Sequence, residues 1–359
     1  MKKSGLMLAL ILSLTLILSA CGSKNNNTNN TPSASPDASA SADTGSAGSA
    51  DGSKFKIGMV TDVGGVNDKS FNQSAWEALQ KLHTDTSAQT KYLESKGDAD
   101  MEPNLNTFVQ QKYDLIWGIG FLFSDAMATV AKQNPDSKFA LIDTVVNEPN
   151  VESVTFAENE GSYLVGVVAG LMTKTNKIGF VGGMELPVIQ KFEAGFTAGI
   201  KAVNPNAEIL VSYTGDFNKP DLGKTAAATE YNKGADIIFA AAGQAGTGVF
   251  NEAKERFNSG KKVWVIGVDK DQSLEFGDDI TLTSMMKGVN EAVYKVSNDL
   301  INGTFQGGKE IVLGLKDNGV GLPETSKKNV PQDVLDKVNE YKEKIISGEI
   351  TVPTVPEKK

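Results

Sequence analysis

Short apolar runs alternate with longer stretches of helical spacing along most of this chain. The runs fall at residues 56–61, 114–119, 138–143, 177–182, 236–241 and 263–269. That alternation predicts parallel strands joined by crossover helices, an α/β fold. Residues 237–241 and 263–268 are nearly all apolar, as strands covered on both faces are, so neither is expected at a sheet edge. The patterned region of about 305 residues is longer than one hydrophobic core usually serves, so two lobes are expected.

The sharpest local pattern is Phe55 to Leu82, where an apolar strand enters a polar, glycine-bearing turn and then an amphipathic helix. Gly64 and Gly65 break the strand, and Asn67 or Asp68 can cap a helix beginning near Ser70. Ligands of open α/β sheets gather beyond the carboxyl ends of the strands. Asp62, Asn67, Asp68, Phe71 and Asn72 fall there and supply acceptors, a donor and an aromatic face. Phe180 to Met184 followed by Phe192 to Phe196 repeats the strand, turn and helix further along. Asp143 and Asp269 close two other apolar runs, and Lys287 follows a third, 282–286. Gly243 and Gly246 lie just beyond the run 236–241, where bare backbone amides can meet a ligand. That stretch lacks the Lys-Ser/Thr ending of a nucleotide-phosphate loop, so ATP hydrolysis is not supported.

The run GMVTDVGGVNDKSFNQ, residues 58–73, resembles the opening signature of the basic-membrane-protein family, binding lipoproteins that include the purine nucleoside receptors of ABC importers. AENEGSY with the following LVGVVAG, then FVGGM, IGVDKDQ, TSMMK and ISGEITVP, are similar to further family runs in the expected order. The resemblance implies a type I periplasmic-binding-protein fold, two Rossmann-like lobes with parallel sheets joined by a hinge. On this reading residues 54–157 and about 283–318 form the first lobe, and 158–282 with about 319–359 the second. The chain is expected to cross near Ala157, return near Thr283 and cross again near Lys316 to Leu322. The small residues after the first crossover are expected to allow close packing of a helix on the sheet.

The resemblance also favours Phe71 and Phe192, on corresponding first turns of the two lobes, as a clamp stacking on a base. From the residues alone Phe71 equally shares a helical stripe with Ala75, Ala78 and Leu82, as a core side chain would. Asp269 is expected to accept hydrogen bonds from a vicinal hydroxyl pair, with Lys287 donating to the same hydroxyls. The plain readings are a helix cap for Asp269 and a solvated charge for Lys287. Asp62, Asn72 and Asp143 are the candidates for the base edge; Asp62 beside two glycines also suits a turn former. Gly243 is expected at the site, and Phe121 is a weaker candidate for it, expected in the core rather than in the wall.

The chain opens with Lys2 and Lys3, an apolar run from Leu6 to Leu18 and then LSAC, ending at Cys21. This pattern predicts a secretory signal, residues 1–20, with a bacterial lipobox in which Cys21 is expected to become the lipid-modified N-terminus; an ordinary signal leaving a free thiol is the alternative. The apolar run is short for a membrane span, and two acyl chains give stable anchoring without one. Residues 21–53 hold no aliphatic side chain larger than alanine after Cys21, a composition that predicts a disordered tether. About 30 such residues reach roughly 30 Å.

Composition excludes several functions. Cys21 is the single cysteine and His83, expected at the surface, the single histidine, so neither a disulfide framework nor cysteine or histidine catalysis or metal binding is supported. No cofactor, no metal and no enzyme activity are expected. A formal charge of −9 argues against nucleic-acid binding. The expected protein is a monomeric, lipid-anchored receptor on the extracytoplasmic face of the cell membrane. It captures a nucleoside, with purine nucleosides expected, and passes it to an ABC permease. A receptor for sugars or other small polar metabolites, or a protein-binding surface lipoprotein, are the alternatives. With no histidine at the site and unperturbed carboxylates, binding is expected to vary little between about pH 6 and 8.

Overall fold

The computed structural model describes residues 51–357. Cys21 and residues 1–20 lie outside these, as does most of the expected tether. The folded body begins slightly before the expected boundary, since Gly52 is buried and its N–H donates to Thr86 O at 2.7 Å.

The first lobe runs through β1 (Lys56–Thr61), α1 (Phe71–Thr86), β2 (Gln89–Glu94), α2 (Asp98–Gln110), β3 (Leu115–Ile119), α3 (Ser124–Gln133), β4 (Phe139–Ile142) and β5 (Val151–Phe156). The second begins with α4 (Glu158–Met172), β6 (Lys177–Gly182), α5 (Pro187–Val203), β7 (Glu208–Tyr213) and α6 (Pro220–Asn232). It continues through β8 (Ile237–Ala241), α7 (Gly246–Asn258), β9 (Trp264–Asp269), α8 (Ser273–Phe276) and β10 (Thr281–Lys287). The remaining elements are α9 (Val289–Ile301), β11 (Glu310–Leu313), β12 (Val320–Gly321) and α10 (Gln332–Ile346).

Two six-stranded sheets result, ordered β11-β5-β4-β3-β1-β2 and β12-β10-β9-β8-β6-β7. The paired strands run parallel throughout except β12, which is antiparallel to β10. The two orders superpose strand for strand, so β1 corresponds to β6 and β4 to β9. As expected, β8 and β9 are interior, and their residues are almost wholly buried. The edge strands β2 and β7 escape a search for apolar runs because they are mixed in polarity and partly exposed.

The first sheet receives the chain back after Lys287 rather than near Thr283. Thr283 to Met286 pair with β9 in the second sheet, so the chain leaves that sheet only at Gly288. Then α9 packs beside α1, and Ser297 Oγ accepts a hydrogen bond from Trp117 Nε1 at 2.9 Å, pinning α9 to the buried face of β3. The last crossover spans residues 314–319, between β11 and β12.

Glycines bring α4 against α5 as well as against the sheet. A Cβ at Gly195 would lie 2.1 Å from Asn159 O, and one at Gly199 2.0 Å from Tyr163 O. A side chain at either place would force the two helices apart. Gly161 instead faces the sheet, where a Cβ would meet Met285 Cε at 2.6 Å. The close packing read from the sequence is therefore mainly helix on helix.

Candidate functional site

The carboxyl ends of both sheets open on one cavity between the lobes, with about 580 Å³ of atom-free space when the open solvent at its mouth is included. From the first lobe, the turn after β1 contributes a network of buried polar groups. Asp62 Oδ1 accepts from Gly64 N at 2.9 Å and from Asn72 Nδ2 at 2.8 Å. Asp68 caps α1, accepting from the backbone N–H of Ser70, Asn72 and Gln73 at 3.0, 2.8 and 3.1 Å. This is the capping role read from the sequence for Asn67 or Asp68, and it satisfies N–H groups that no intrahelical carbonyl reaches. Asn72 Nδ2 also reaches Asp68 Oδ2 at 3.2 Å, while Asn72 Oδ1 is buried without a hydrogen-bond partner. A buried amide oxygen in that state is an acceptor waiting for a donor.

The second lobe contributes a different surface. Leu186, Val188, Ile189 and Phe192 come from the start of α5, Phe217 from the loop before α6, and Gly243 from the turn after β8. Phe71 is the first residue of α1, but Phe192 sits in the second turn of α5, because Pro187 starts that helix and the apolar residues after it take the first turn. The expected exact correspondence of the two phenylalanines is thus off by a turn, yet both rings face the same cavity.

Asp143 directly follows β4 and Asp269 ends the corresponding strand β9, and both have left-handed backbone, φ 74° and 66°. Such conformations are costly for residues with a Cβ and are kept where the surroundings determine them. Lys287 ends β10 and is 2% exposed, with its ammonium 2.6 Å from Asp143 Oδ1 and 3.2 Å from Glu158 Oε1. The same ammonium lies 5.0 Å from the Phe71 ring centre and 5.6 Å from that of Phe192.

All eight residues singled out in the sequence, Asp62, Phe71, Asn72, Asp143, Phe192, Gly243, Asp269 and Lys287, line this cavity. Phe121 lines it too, contrary to the expectation of a core position, because it follows Gly120 at the open end of β3. Gly246 does not; it is buried at the start of α7. Sequence reading missed Leu186, Val188, Ile189 and Phe217. The first three read as ordinary helix core, whereas Phe217 alone carried a signal, a lone aromatic in a polar turn.

Charge at the site is unbalanced. Burial pushes the carboxyls of Asp62, Asp68 and Asp269 up to about 6, and it raises Asp143 as well against the pull of Lys287. Burial also works against the Lys287 charge, but the carboxylates of Asp143, Glu158 and Asp269 outweigh it and hold the ammonium above its usual range. The expectation of pH-independent binding assumed unperturbed carboxylates, and burial removes that premise. Chemically, the cavity offers many acceptors, one ammonium and four aromatic rings, a set suited to a planar ligand rich in hydroxyl and N–H donors.

Beyond the cavity rim the lobes meet again. Lys270 Nζ of the second lobe pairs with Glu77 of the first at 2.8 Å and with Glu275 at 3.4 Å. Gln272 Nε2 donates to Lys69 O at 2.9 Å, and Ser70 Oγ donates to Asp269 Oδ2.

Over residues 55–355 the chain matches the family model described as Bmp, ABC transporter substrate-binding protein PnrA-like. The chain belongs to the Bmp family. Members of this family are the substrate-binding, non-catalytic component of an ABC transporter. The chain is 50% identical over 318 residues to a CD4+ T-cell-stimulating antigen of Listeria monocytogenes, a match covering 84% of this chain and 89% of that one. It is 43% identical over 316 residues to the ABC transporter nucleoside-binding protein BmpA of Lactococcus lactis, covering 83% and 89%. A crystal structure of an ABC transporter solute-binding protein from Aeropyrum pernix K1 is similar with TM-score 0.78 and 30% identity, covering 84% of this chain and 94% of that one. Among the described residues no helix is long and apolar enough to cross a membrane.

Proposed function

We propose that this Bmp-family protein captures nucleosides, specifically purine nucleosides, in the cavity between its lobes and delivers them to the permease of an ABC importer. The supporting observation is the conjunction, in one cavity, of aromatic faces from Phe71, Phe121, Phe192 and Phe217 with the carboxylates of Asp62, Asp143 and Asp269. Rings stack on a base with little regard to its identity, while carboxylates accept from sugar hydroxyls and ring N–H groups. Lys287 is the one ammonium among the residues lining the cavity, available to a hydroxyl or a ring nitrogen. The nucleoside-binding relative in Lactococcus lactis supports the same reading.

In this proposal Cys21 carries the lipid anchor, the protein works as a monomer on the extracytoplasmic face of the cell membrane, and ligand stabilises the lobes in their closed arrangement. Mass spectrometry of the N-terminal peptide should show acylated Cys21, and Cys21→Ala should release the protein from membranes.

The deciding experiment is native mass spectrometry of the protein as purified, then calorimetric titration with guanosine, inosine, adenosine, uridine and ribose after stripping. Tight, saturable binding of a purine nucleoside, with ribose silent, is expected. Binding of ribose alone would move the assignment to a sugar receptor, and silence from all five would remove the nucleoside reading.

A further inference from the structure

Three chain crossovers join the lobes, and they are bonded to one another. Ala157 N, at the first, donates to Leu313 O at the start of the third at 3.0 Å. Gly288 N, at the second, donates to Gly319 O at the end of the third at 2.8 Å. The first turn of α4 reaches the other two crossovers with its side chains. Glu160 Oε2 accepts from Leu315 N at 2.9 Å, and Glu158 Oε1 pairs with Lys287 at 3.2 Å.

Glu158 is 1% exposed, and both of its oxygens are engaged. The second, Oε2, pairs with Lys191 of α5 at 3.1 Å, and Lys191 Nζ also donates to Phe156 O at 3.2 Å. Glu158 does not line the cavity; Lys287 does. Lys287 therefore has two partners with different attachments. Asp143 belongs to the first lobe, whereas Glu158 begins a helix that packs on β10, the strand bearing Lys287.

A cavity walled by both lobes admits a ligand only when the lobes part. Asp143 sits on the lobe opposite Lys287, while Glu158 sits beside the first crossover on a helix packed against the strand that bears Lys287. With the cleft open, water can reach Lys287 from the cavity side, and a carboxylate partner behind it then fixes where the ammonium sits. We infer that Glu158 is a positioning residue that keeps Lys287 paired and in place when the cleft opens, so that the open form stays accessible and ready to receive ligand. Without its charge, Lys287 keeps Asp143 across the cleft as its one direct ion-pair partner, with Asp269 of its own lobe acting only at longer range, and the unliganded protein shifts toward the closed form. The inference rests on the proposed nucleoside site only for its ligand readout.

The test is a double-mutant cycle on the full chain. Glu158→Gln should reduce the unliganded radius of gyration in small-angle scattering and slow guanosine association about tenfold, with dissociation changed less than twofold. In a Lys287→Met background, Glu158→Gln should change neither quantity further, because the charge it serves is gone. Glu158→Asp keeps the charge one methylene shorter and should give an intermediate change that also vanishes with Lys287→Met, so the cycle survives if the Gln variant folds poorly. Equal effects in both backgrounds, or an unchanged radius of gyration, would overturn the inference. The scattering arm needs no ligand, so it decides this point even if no nucleoside binds.

Discussion

The two lobes share a strand order, but the turns after their first strands present different chemistry to the cavity between them. The turn after β1 carries Asp62, Asp68 and Asn72 in a buried hydrogen-bonded network, whereas the corresponding turn after β6 leads into Leu186, Val188 and Ile189. The cause is local. In the first lobe a side-chain carboxylate starts the helix, and in the second Pro187 does, which leaves the second turn free of the polar groups a cap requires. What the lobes keep in common is the aspartate at the end of the fourth strand of each, Asp143 and Asp269, both in left-handed backbone. A repeated fold thus fixes where a site lies, while residues at a few strand ends decide what each half contributes.

The comparison can be broken most forcefully at the two phenylalanines. Phe192 is 2% exposed and packs on Phe239 with ring centres 6.2 Å apart, so Phe192→Ala should cost about 3–5 kcal/mol of stability. Phe71 is only partly buried, and Phe71→Ala should cost less than half as much while weakening nucleoside binding by about 1–3 kcal/mol. Denaturant unfolding and calorimetry measure the two effects; equal stability losses would show that Phe71 is core as well.

Next in size are the paired aspartates. Asp143→Ala and Asp269→Ala should each weaken nucleoside binding by about 1.5–3 kcal/mol, the worth of a hydrogen bond to a charged group. Of the two, only Asp143→Ala also removes a direct partner of Lys287, so its unliganded protein should melt lower. Because Asp269→Ala in turn loses the Ser70 hydrogen bond, the ion pair at 2.6 Å is tested by Asp143→Ala in a Lys287→Met background, where its extra loss of melting temperature should vanish.

The titration of the site gives a third contrast. Carboxyls at about 6 in the folded protein, against about 3.9 for an ordinary aspartate, hold protons more tightly folded than unfolded. Their contribution to stability is fully present below about pH 4 and lost as pH rises through about 6. Relative to Asp269→Asn, the unliganded wild type should therefore lose stability between pH 5 and 7, by roughly 1–2 kcal/mol. Ligand donors need the charged carboxylates, so nucleoside affinity should instead rise several-fold across the same interval. Thermal melts and titrations in matched buffers test both signs.

The smallest effect is expected at the rim. Lys270→Met removes the cross-lobe pair with Glu77, which touches no cavity atom, and should speed nucleoside dissociation only a few-fold, by about 0.5–1 kcal/mol. The ranking of nucleosides should not change. A reordered ranking in stopped-flow competition would place Lys270 in the site itself.

Much of this organisation was legible in the chain. Interior strands such as β8 and β9 are apolar on both faces because helices cover both, and a strand end followed by Asp, Gly or Asn marks the place where the backbone turns over a ligand. Hence strand-end position offers these residues as candidates, while the family resemblance is what favours Phe71 and Phe192 as a clamp over a core reading. Edge strands were missed because half of each faces water, and Phe121 was misplaced because an aromatic after a buried strand reads as core whichever way it points. The return crossover was set too early because an apolar strand such as β10 does not announce which sheet it joins.

By itself the sequence determined the α/β alternation, the family, and the strand-end positions that carry polar and aromatic groups, since each follows from periodicity and short motifs along the chain. Only the tertiary structure decided which of those groups meet. Asp143 and Lys287 are far apart in sequence, and Glu158 looked like part of a hinge helix until the crossovers brought it to Lys287. The carboxyl pKa values belong to the same category, because they depend on water being excluded by two lobes at once, and no local stretch of chain contains that information.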